Sequence, residues 1–262
     1  MMKLPPAIKS RLNSNKFQLD NIGLSESKVY LFENQVLKVG DDNEEAENEY
    51  IIMEWLKDRL PVPHVLAKET AEGKSWLLMT RVQGKMSCDE EYMKNPMELT
   101  GLLADALKLL WQTDITECPC NWNIDRKLKM AKYWVEHNMV DTDNVEPDTY
   151  GENGFASPKE LFQWLAENKP DEEPVLSHGD FCLPNIMFEG RELKGYIDLG
   201  RMGVADRWQD IALCYRSLLH NYSGKYGGKS YEGFNPEMLF DRLGIEPDWK
   251  KIRYYILLDE IF

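Results

Sequence analysis

The apolar residues of this 262-residue chain shift from mainly strand-like to mainly helical spacing near Gly84, and that shift constrains the architecture more than any other feature. Before it, β-branched and aromatic runs dominate. Residues 29–39 read as a hairpin: Val29, Tyr30, Leu31 and Phe32 form one arm, Val36, Leu37, Lys38 and Val39 the other, and Glu33-Asn34-Gln35 turns between them. Over 43–58 the spacing becomes helical, with Tyr50, Met53 and Leu56 three apart and Glu49, Ile52 and Trp55 interleaved, until Pro61-Val62-Pro63 stops it. Two more strands are predicted over 64–68 and 75–80, around a turn at Glu72-Gly73-Lys74. Beyond Gly84 the pattern is helical. Leu99, Leu102, Leu103, Ala106, Leu109 and Leu110 share one face within 97–113. Helices are predicted over 124–140, 157–168, 208–219 and 248–261, and Ser157-Pro158-Lys159-Glu160 is a capping box with proline at the first helical position. The expected class is α+β, in two lobes: a small strand-rich lobe with one long helix over 1–82, a hinge near 80–84, and a larger, mostly helical lobe over 83–262.

Charge narrows the partners. Lys and Arg number 31 against 45 Asp and Glu, a net charge of −14. Nucleic-acid binding needs a basic face, so it is set aside; an acidic cleft concentrates cationic ligands instead. The 141–154 stretch carries Asp141, Asp143, Glu146, Asp148 and Glu152 and reads as a loop, either simply solvated or facing a cation. The first sixteen residues have no apolar core of a signal peptide. Apolar runs such as Tyr254-Tyr255-Ile256-Leu257-Leu258 fall far short of the ~20 residues of a membrane helix. Five cysteines are irregularly spaced, and no second Cys or His pair completes a zinc site with Cys118-Pro119-Cys120. A cytoplasmic protein with reduced thiols is expected.

The chemistry is concentrated in 175–210. An apolar strand, Val175-Leu176, runs into Ser177-His178-Gly179-Asp180, and Asn185 follows five positions later. The apolar run Ile186-Met187-Phe188, a turn at Glu189-Gly190-Arg191 and a second strand over 193–197 then lead to Asp198. Singly, these polar residues suit turns and caps. Together, on the ends of two short strands, they suit phosphoryl transfer, which needs an oriented nucleophile and a divalent cation on the phosphates. Asp180 is placed to accept the proton of a substrate hydroxyl. Asn185 and Asp198 offer hard oxygens to Mg²⁺.

His178-Gly179-Asp180-Phe181-Cys182-Leu183-Pro184-Asn185 and Ile197-Asp198-Leu199-Gly200-Arg201 resemble the catalytic loop and metal-binding segment of the aminoglycoside phosphotransferases, resistance kinases with a protein-kinase-like fold. Ala205-Asp206-Arg207-Trp208-Gln209-Asp210-Ile211-Ala212 and the C-terminal Tyr254 to Phe262 stretch are similar to the 3′-phosphotransferase branch. The resemblance implies ATP and Mg²⁺ as cofactors and an aminoglycoside as the partner. It implies that Ser25, in the loop Gly23-Leu24-Ser25-Glu26-Ser27-Lys28, positions the nucleotide, that Lys38 holds the phosphates, and that Glu49 pairs with Lys38. Glu47 lies about 200° from Glu49 round the helix, so only one of the two can face Lys38; the resemblance favours Glu49. Thr80 and Val82 would bond adenine through their backbones, with Met79 at the back of the base pocket. Val36 stands where a relative has an aromatic ring over the base, which implies nucleotide affinity weaker by roughly 1 kcal/mol.

On the substrate side, the resemblance implies that Glu260 and the terminal carboxylate of Phe262 bind amines, with Arg201 and Arg216 near the transferred phosphate. His220-Asn221 replaces acidic residues of a relative, which implies a different, narrower substrate range. Gly227-Gly228-Lys229-Ser230 is a false lead: a phosphate-binding loop would need glycine at 223, which is Ser223, and a strand before it. Two alternatives remain at this stage. One is a kinase of the same fold acting on another cationic or polyol metabolite, separated by whether Glu260 and Phe262 matter to turnover. The other is a non-catalytic nucleotide-binding relative, which predicts a broken site, whereas Lys38, Asp180, Asn185 and Asp198 are all in place. A protein kinase is disfavoured by the lack of a long activation segment after Asp198.

Overall fold

The computed structural model describes residues 4–14, 16–19, 27–152, 154–225 and 228–262. It opens with a short helix, α1 (Pro6–Arg11), and β1 (Gln18–Leu19). There follow β2 (Lys28–Leu31), β3 (Gln35–Asp41), α2 (Glu44–Leu56), β4 (Val65–Ala71) and β5 (Lys74–Thr80). The strands form one antiparallel sheet in the order β1-β2-β3-β5-β4, with β3 in the interior and Lys38 opposite Leu77. Alternation along β3 decides what each face does. Leu37 and Leu78 bury themselves with Ile8 and Phe32 beside α1. Leu77 and Met79, on the other face with Val36 and Lys38, join Ile52 and Met53 of α2 in the main core.

Helix α2 begins at Asn43, whose side chain accepts from the Ala46 amide at 2.9 Å, and carries Glu44, Glu45 and Glu47 in its first turn, where the helix dipole favours them. Its buried residues are Asn48, Glu49, Ile52, Met53 and Leu56, one continuous stripe. Asn48 and Glu49 are therefore inside for the same reason as the leucine, and Glu47 turns the other way to pair with Lys68.

The second half runs β6 (Lys85–Met86), α3 (Glu90–Met93), α4 (Pro96–Trp111), α5 (Ile124–Glu136) and α6 (Pro158–Glu167). It continues with β7 (Pro174–Ser177), a 3₁₀ turn at Leu183–Asn185, β8 (Ile186–Glu189), β9 (Glu192–Tyr196) and β10 (Gly203–Asp206). The last helices are α7 (Arg207–Ser223), α8 (Glu237–Leu243) and α9 (Trp249–Asp259). Strands β6, β8 and β9 make one small sheet, and β7 pairs with β10 in another. Helix α7 packs against both α9 and β7, so it lies between the apolar C-terminus and the strand that leads to Asp180. Among the described residues no helix is long and apolar enough to cross a membrane.

Several boundaries differ from the sequence expectation. Leu107 is fully buried in α4 while Leu109 is 38% exposed, because α8 and β7 cover the helix from two sides and widen its buried face. Helix α5 stops at Glu136, ahead of Asn138 in the left-handed region (φ 53°). Helix α7 runs on to Ser223 and ends at Gly224 with φ 73°, a left-handed cap that glycine adopts without strain. Helices α1, α3 and α8 and strands β1, β6 and β10 are too short to show a period.

Asn48 joins the two halves. Its amide donates to Met202 O at 2.9 Å, and its carbonyl accepts from Trp122 Nε1 at 3.0 Å, all inside the core. Asn48→Ala leaves a buried indole N–H and a buried carbonyl unpaired, and is expected to lower stability by about 2–3 kcal/mol, seen as a lower urea midpoint with an unchanged far-UV spectrum.

Candidate active site

Lys38 is the meeting point of the sheet, α2 and the segment after β9. Its Nζ lies 2.9 Å from Glu49 Oε2 and 2.6 Å from Asp198 Oδ1. Glu49 Oε1 accepts from the Leu199 amide at 3.3 Å, which closes a ring through the neighbour of Asp198. Burial disfavours the Lys38 ammonium, but Glu49 and Asp198 together outweigh it and raise its pKa. Burial raises Glu49, whereas the Lys38 charge holds Asp198 below the usual carboxylate range. Asp198 therefore stays an anion. It sits in the left-handed region (φ 60°) on the turn after β9.

The turn that carries Asp180 is built on a buried carboxylate from α7. Asp210 is fully buried and accepts from the His178 amide at 2.7 Å, the Gly179 amide at 3.0 Å and the Ser177 hydroxyl at 3.0 Å. Burial raises its pKa against these hydrogen bonds. Gly179 has φ 84°, and a Cβ there would meet Arg201 O at 2.1 Å, so only glycine fits. The ring of His178 is held by backbone on both sides: Nδ1 accepts from the Asp180 amide at 3.3 Å, which leaves Nε2–H to donate to Ile197 O at 3.1 Å.

Asp180 itself is half-buried. Its Oδ2 accepts from Asn185 Nδ2 at 2.9 Å, and its Oδ1 from the Cys182 thiol at 3.0 Å. Burial raises the Cys182 thiol well above its ordinary pKa, so it stays a thiol and serves as a donor. Asn185 also donates to Asp180 O, which turns its own carbonyl oxygen away. Among the described residues nothing donates to Asn185 Oδ1 or Asp198 Oδ2. One amide oxygen and one ionised carboxylate fit Mg²⁺, which keeps waters and takes phosphate oxygens alongside few protein ligands. Among the described residues no cluster of three or more His, Cys, Asp or Glu could hold a metal by itself.

The connection after β5 holds the residues expected to meet a base. Thr80 N–H donates to His64 O at 2.9 Å, its hydroxyl accepts from His64 N–H at 2.8 Å, and Arg81 N–H donates to Asn34 O at 3.0 Å. Met79 lies opposite Val36 on the face of Lys38. The Val82 side chain presses on Gly195, where a Cβ would come within 3.0 Å of it. Ser25 lies outside the described residues. Gly227 does too, and Lys229 pairs with Glu90 on the surface.

Asp259 gathers the arginines expected on the substrate side. It pairs with Arg216 and lies 3.6 Å from Arg201, which also holds Glu45 at 2.9 Å. The Arg201 guanidinium stands 5.4 Å from the centre of the Phe262 ring. Glu260 is buried rather than presented to an open cleft: it accepts from the Glu146 amide at 2.7 Å and from the Thr149 hydroxyl, pinning the acidic loop to the C-terminus. Within that loop Glu146 meets His220 and Lys225, each at 2.8 Å, and Asp148 meets Arg253 at 3.2 Å. Among the described residues Asp141, Asp143 and Glu152 have no ion pair. Sequence reasoning gave no role to Asp210, Gln209, Cys182 or Asp259; the one signal at hand was an aspartate leading the apolar run Ile211-Ala212-Leu213-Cys214.

Residues 18–249 match the model of the phosphotransferase enzyme family. An aminoglycoside 3′-phosphotransferase from Enterococcus faecalis is 39% identical to this chain, over all of it and 99% of the relative. The chain belongs to the aminoglycoside 3′-phosphotransferase family. Its fold is the two-lobed kinase-like fold of that family. A crystal structure of a type VIII aminoglycoside 3′-phosphotransferase superposes with a TM-score of 0.77 at 24% identity, covering 98% of each chain. The aminoglycoside phosphotransferase APH(3″)-Id from Streptomyces rimosus, solved with ADP and streptomycin, gives 0.77 at 23% identity over 97% of this chain and 96% of that one.

Two outcomes follow for this family member. Gly179→Ala forces the Asp180 turn away from Arg201 O and is expected to cut kcat by roughly 100-fold, measured by steady-state kinetics on folded protein. The His220 hydrogen bond leads the effects that hold Glu146 down, to about 2, ahead of burial, which opposes it, and of Lys225. A depressed carboxylate contributes stability above its unfolded pKa and loses it as pH falls through the folded one. The stability gap between wild type and Glu146→Gln should thus be full above about pH 5 and close by about pH 2, read from urea midpoints across that range.

Proposed function

We propose that this protein transfers the γ-phosphoryl group of ATP, with Mg²⁺, to the 3′-hydroxyl of aminoglycoside antibiotics and so confers resistance to them. The observation that carries this reading is the link between the Asp180–Asn185 pair and the Lys38–Glu49–Asp198 cluster, where Ile197 N–H, next to Asp198, donates to Asn185 C=O at 3.0 Å. The full-length relationship to an aminoglycoside 3′-phosphotransferase supports it. So does a structural neighbour with ADP and streptomycin bound.

Each residue then has a task. The backbones of Thr80 and Val82 hold adenine, and the resemblance assigns Ser25 to positioning the nucleotide. Lys38, kept charged and aimed by Glu49, takes the α- and β-phosphates. Asn185 and Asp198 hold Mg²⁺, which when bound neutralises charge on the phosphates. Asp180 accepts the proton of the acceptor hydroxyl as its oxygen bonds to the γ-phosphorus and the bond to the ADP oxygen breaks. Cys182 and Asn185, one on each carboxylate oxygen, keep Asp180 facing the hydroxyl. Amines of the substrate meet the unpaired acids of the 141–154 loop and the terminal carboxylate of Phe262; Glu260, expected to bind amines, instead holds that loop from inside, and Arg201 and Arg216 flank the transferred group.

The test is ADP release with Mg-ATP and kanamycin, neomycin or ribostamycin, beside Asp180→Asn. Turnover with kanamycin that falls roughly 10²- to 10⁴-fold in the variant is expected. ATP binding without turnover on any aminoglycoside would overturn the substrate assignment.

A further inference from the structure

Lys127, on α5, is 5% exposed, and among the described residues its Nζ has no hydrogen-bond partner. A buried amine in that state carries a cost. Burial pulls it down to about 7, Arg201 adds to the fall, and Asp210, Asp259 and Glu172 only partly oppose it. Gln209, on α7, has the complementary defect. Its Nε2 donates to Gly179 O at 2.7 Å, while its Oε1 is buried and, among the described residues, unpartnered. Both side chains line a single cavity of about 20 Å³, together with Gly179, Arg201 and Asp259. A water needs only about 10–15 Å³ of such space and two to four polar partners.

We propose that one buried water bridges Lys127 Nζ and Gln209 Oε1, and that Lys127 thereby acts as a positioning residue for the turn carrying Asp180. Either form of the lysine can meet that water. An ammonium donates to its oxygen, and a neutral amine accepts from its O–H while the other O–H reaches Gln209 Oε1. The bridge fixes the Gln209 amide plane, and that plane aims Nε2 at the Gly179 carbonyl, one residue before Asp180. Gly179 already abuts Arg201 O on its other side, so the turn has no slack to absorb a rotated glutamine.

The proposal rests on the reading of Asp180 as the base, and its test separates the two. A crystal structure of the wild-type protein that resolves ordered water is expected to show one within hydrogen-bonding distance of both atoms; a dry cavity overturns the proposal whatever the enzyme's activity. In kinetics, Lys127→Met is expected to lower kcat about tenfold with KM for ATP unchanged and Tm not lowered. In the double variant with Gln209→Leu, the two losses should not multiply, because they act through one bridge. Lys127→Gln, which keeps a polar head, is expected to recover part of the loss and decides the kinetic arm if the methionine variant does not fold. Wild-type kcat in Lys127→Met, multiplicative losses, or a kcat loss matched by a fall in Tm would each overturn the positioning role. Absence of aminoglycoside turnover in the wild type would sink the substrate reading instead and leave the water to be judged by the crystal.

Discussion

The buried carboxylate of Asp210 is the interaction on which the site is built. Three donors from consecutive residues, Ser177, His178 and Gly179, converge on it, so the strand β7 can only leave the core in one direction. A buried anion is costly unless its hydrogen bonds are complete. Here helix α7 supplies the carboxylate and the turn supplies the donors. Breaking either side leaves the other unsatisfied in the interior. Everything that follows in the chain, from Asp180 to the β8–β9 hairpin and Asp198, inherits its position from that anchor.

A second constraint works between the halves of the molecule. Lys38 on the sheet and Glu49 on α2 reach Asp198 on the far side, while Asn48, the neighbour of Glu49, ties the same helix turn to Met202 and Trp122. Two adjacent residues of one helix thus do different work. One sets the electrostatics of the cleft and the other bolts the helix that carries it. The bolt is uncharged and needs no counterion, so the charged partner is left to pair with Lys38.

Much of this was legible in the sequence, and the physical reason is plain. Lys38, Asp198 and Asn185 lie on or at the ends of short strands whose apolar alternation marks them, and Glu49 falls on the stripe set by Ile52 and Leu56. The structure brings Lys38, Glu49 and Asp198 together, and Asn185 to Asp180. Asn48, Lys127 and Gln209 left no such trace, and Asp210 only that of an aspartate leading an apolar run. A polar residue on a helix reads as surface unless its neighbours are known in space, and these are buried by helices and strands distant in sequence. The end of α7 was missed for the same reason: His220 and Tyr222 are buried there, but by α7's partners and not by any local pattern. Leu107 and Leu109 exchange places because two elements, rather than one, cover α4.

The backbone bonds to both nitrogens of His178 carry a consequence for the traffic of protons. An imidazole beside a carboxylate is commonly a relay, able to take a proton on one side and release it on the other. This one has neither side to spare, since Nδ1 is occupied by the Asp180 amide and Nε2 by Ile197 O. It is a strut. If Asp180 is the base, as proposed above, a proton it takes up has no inward exit through the ring and departs by the way the substrate came, so that resetting the site for the next turnover is coupled to opening the cleft to water.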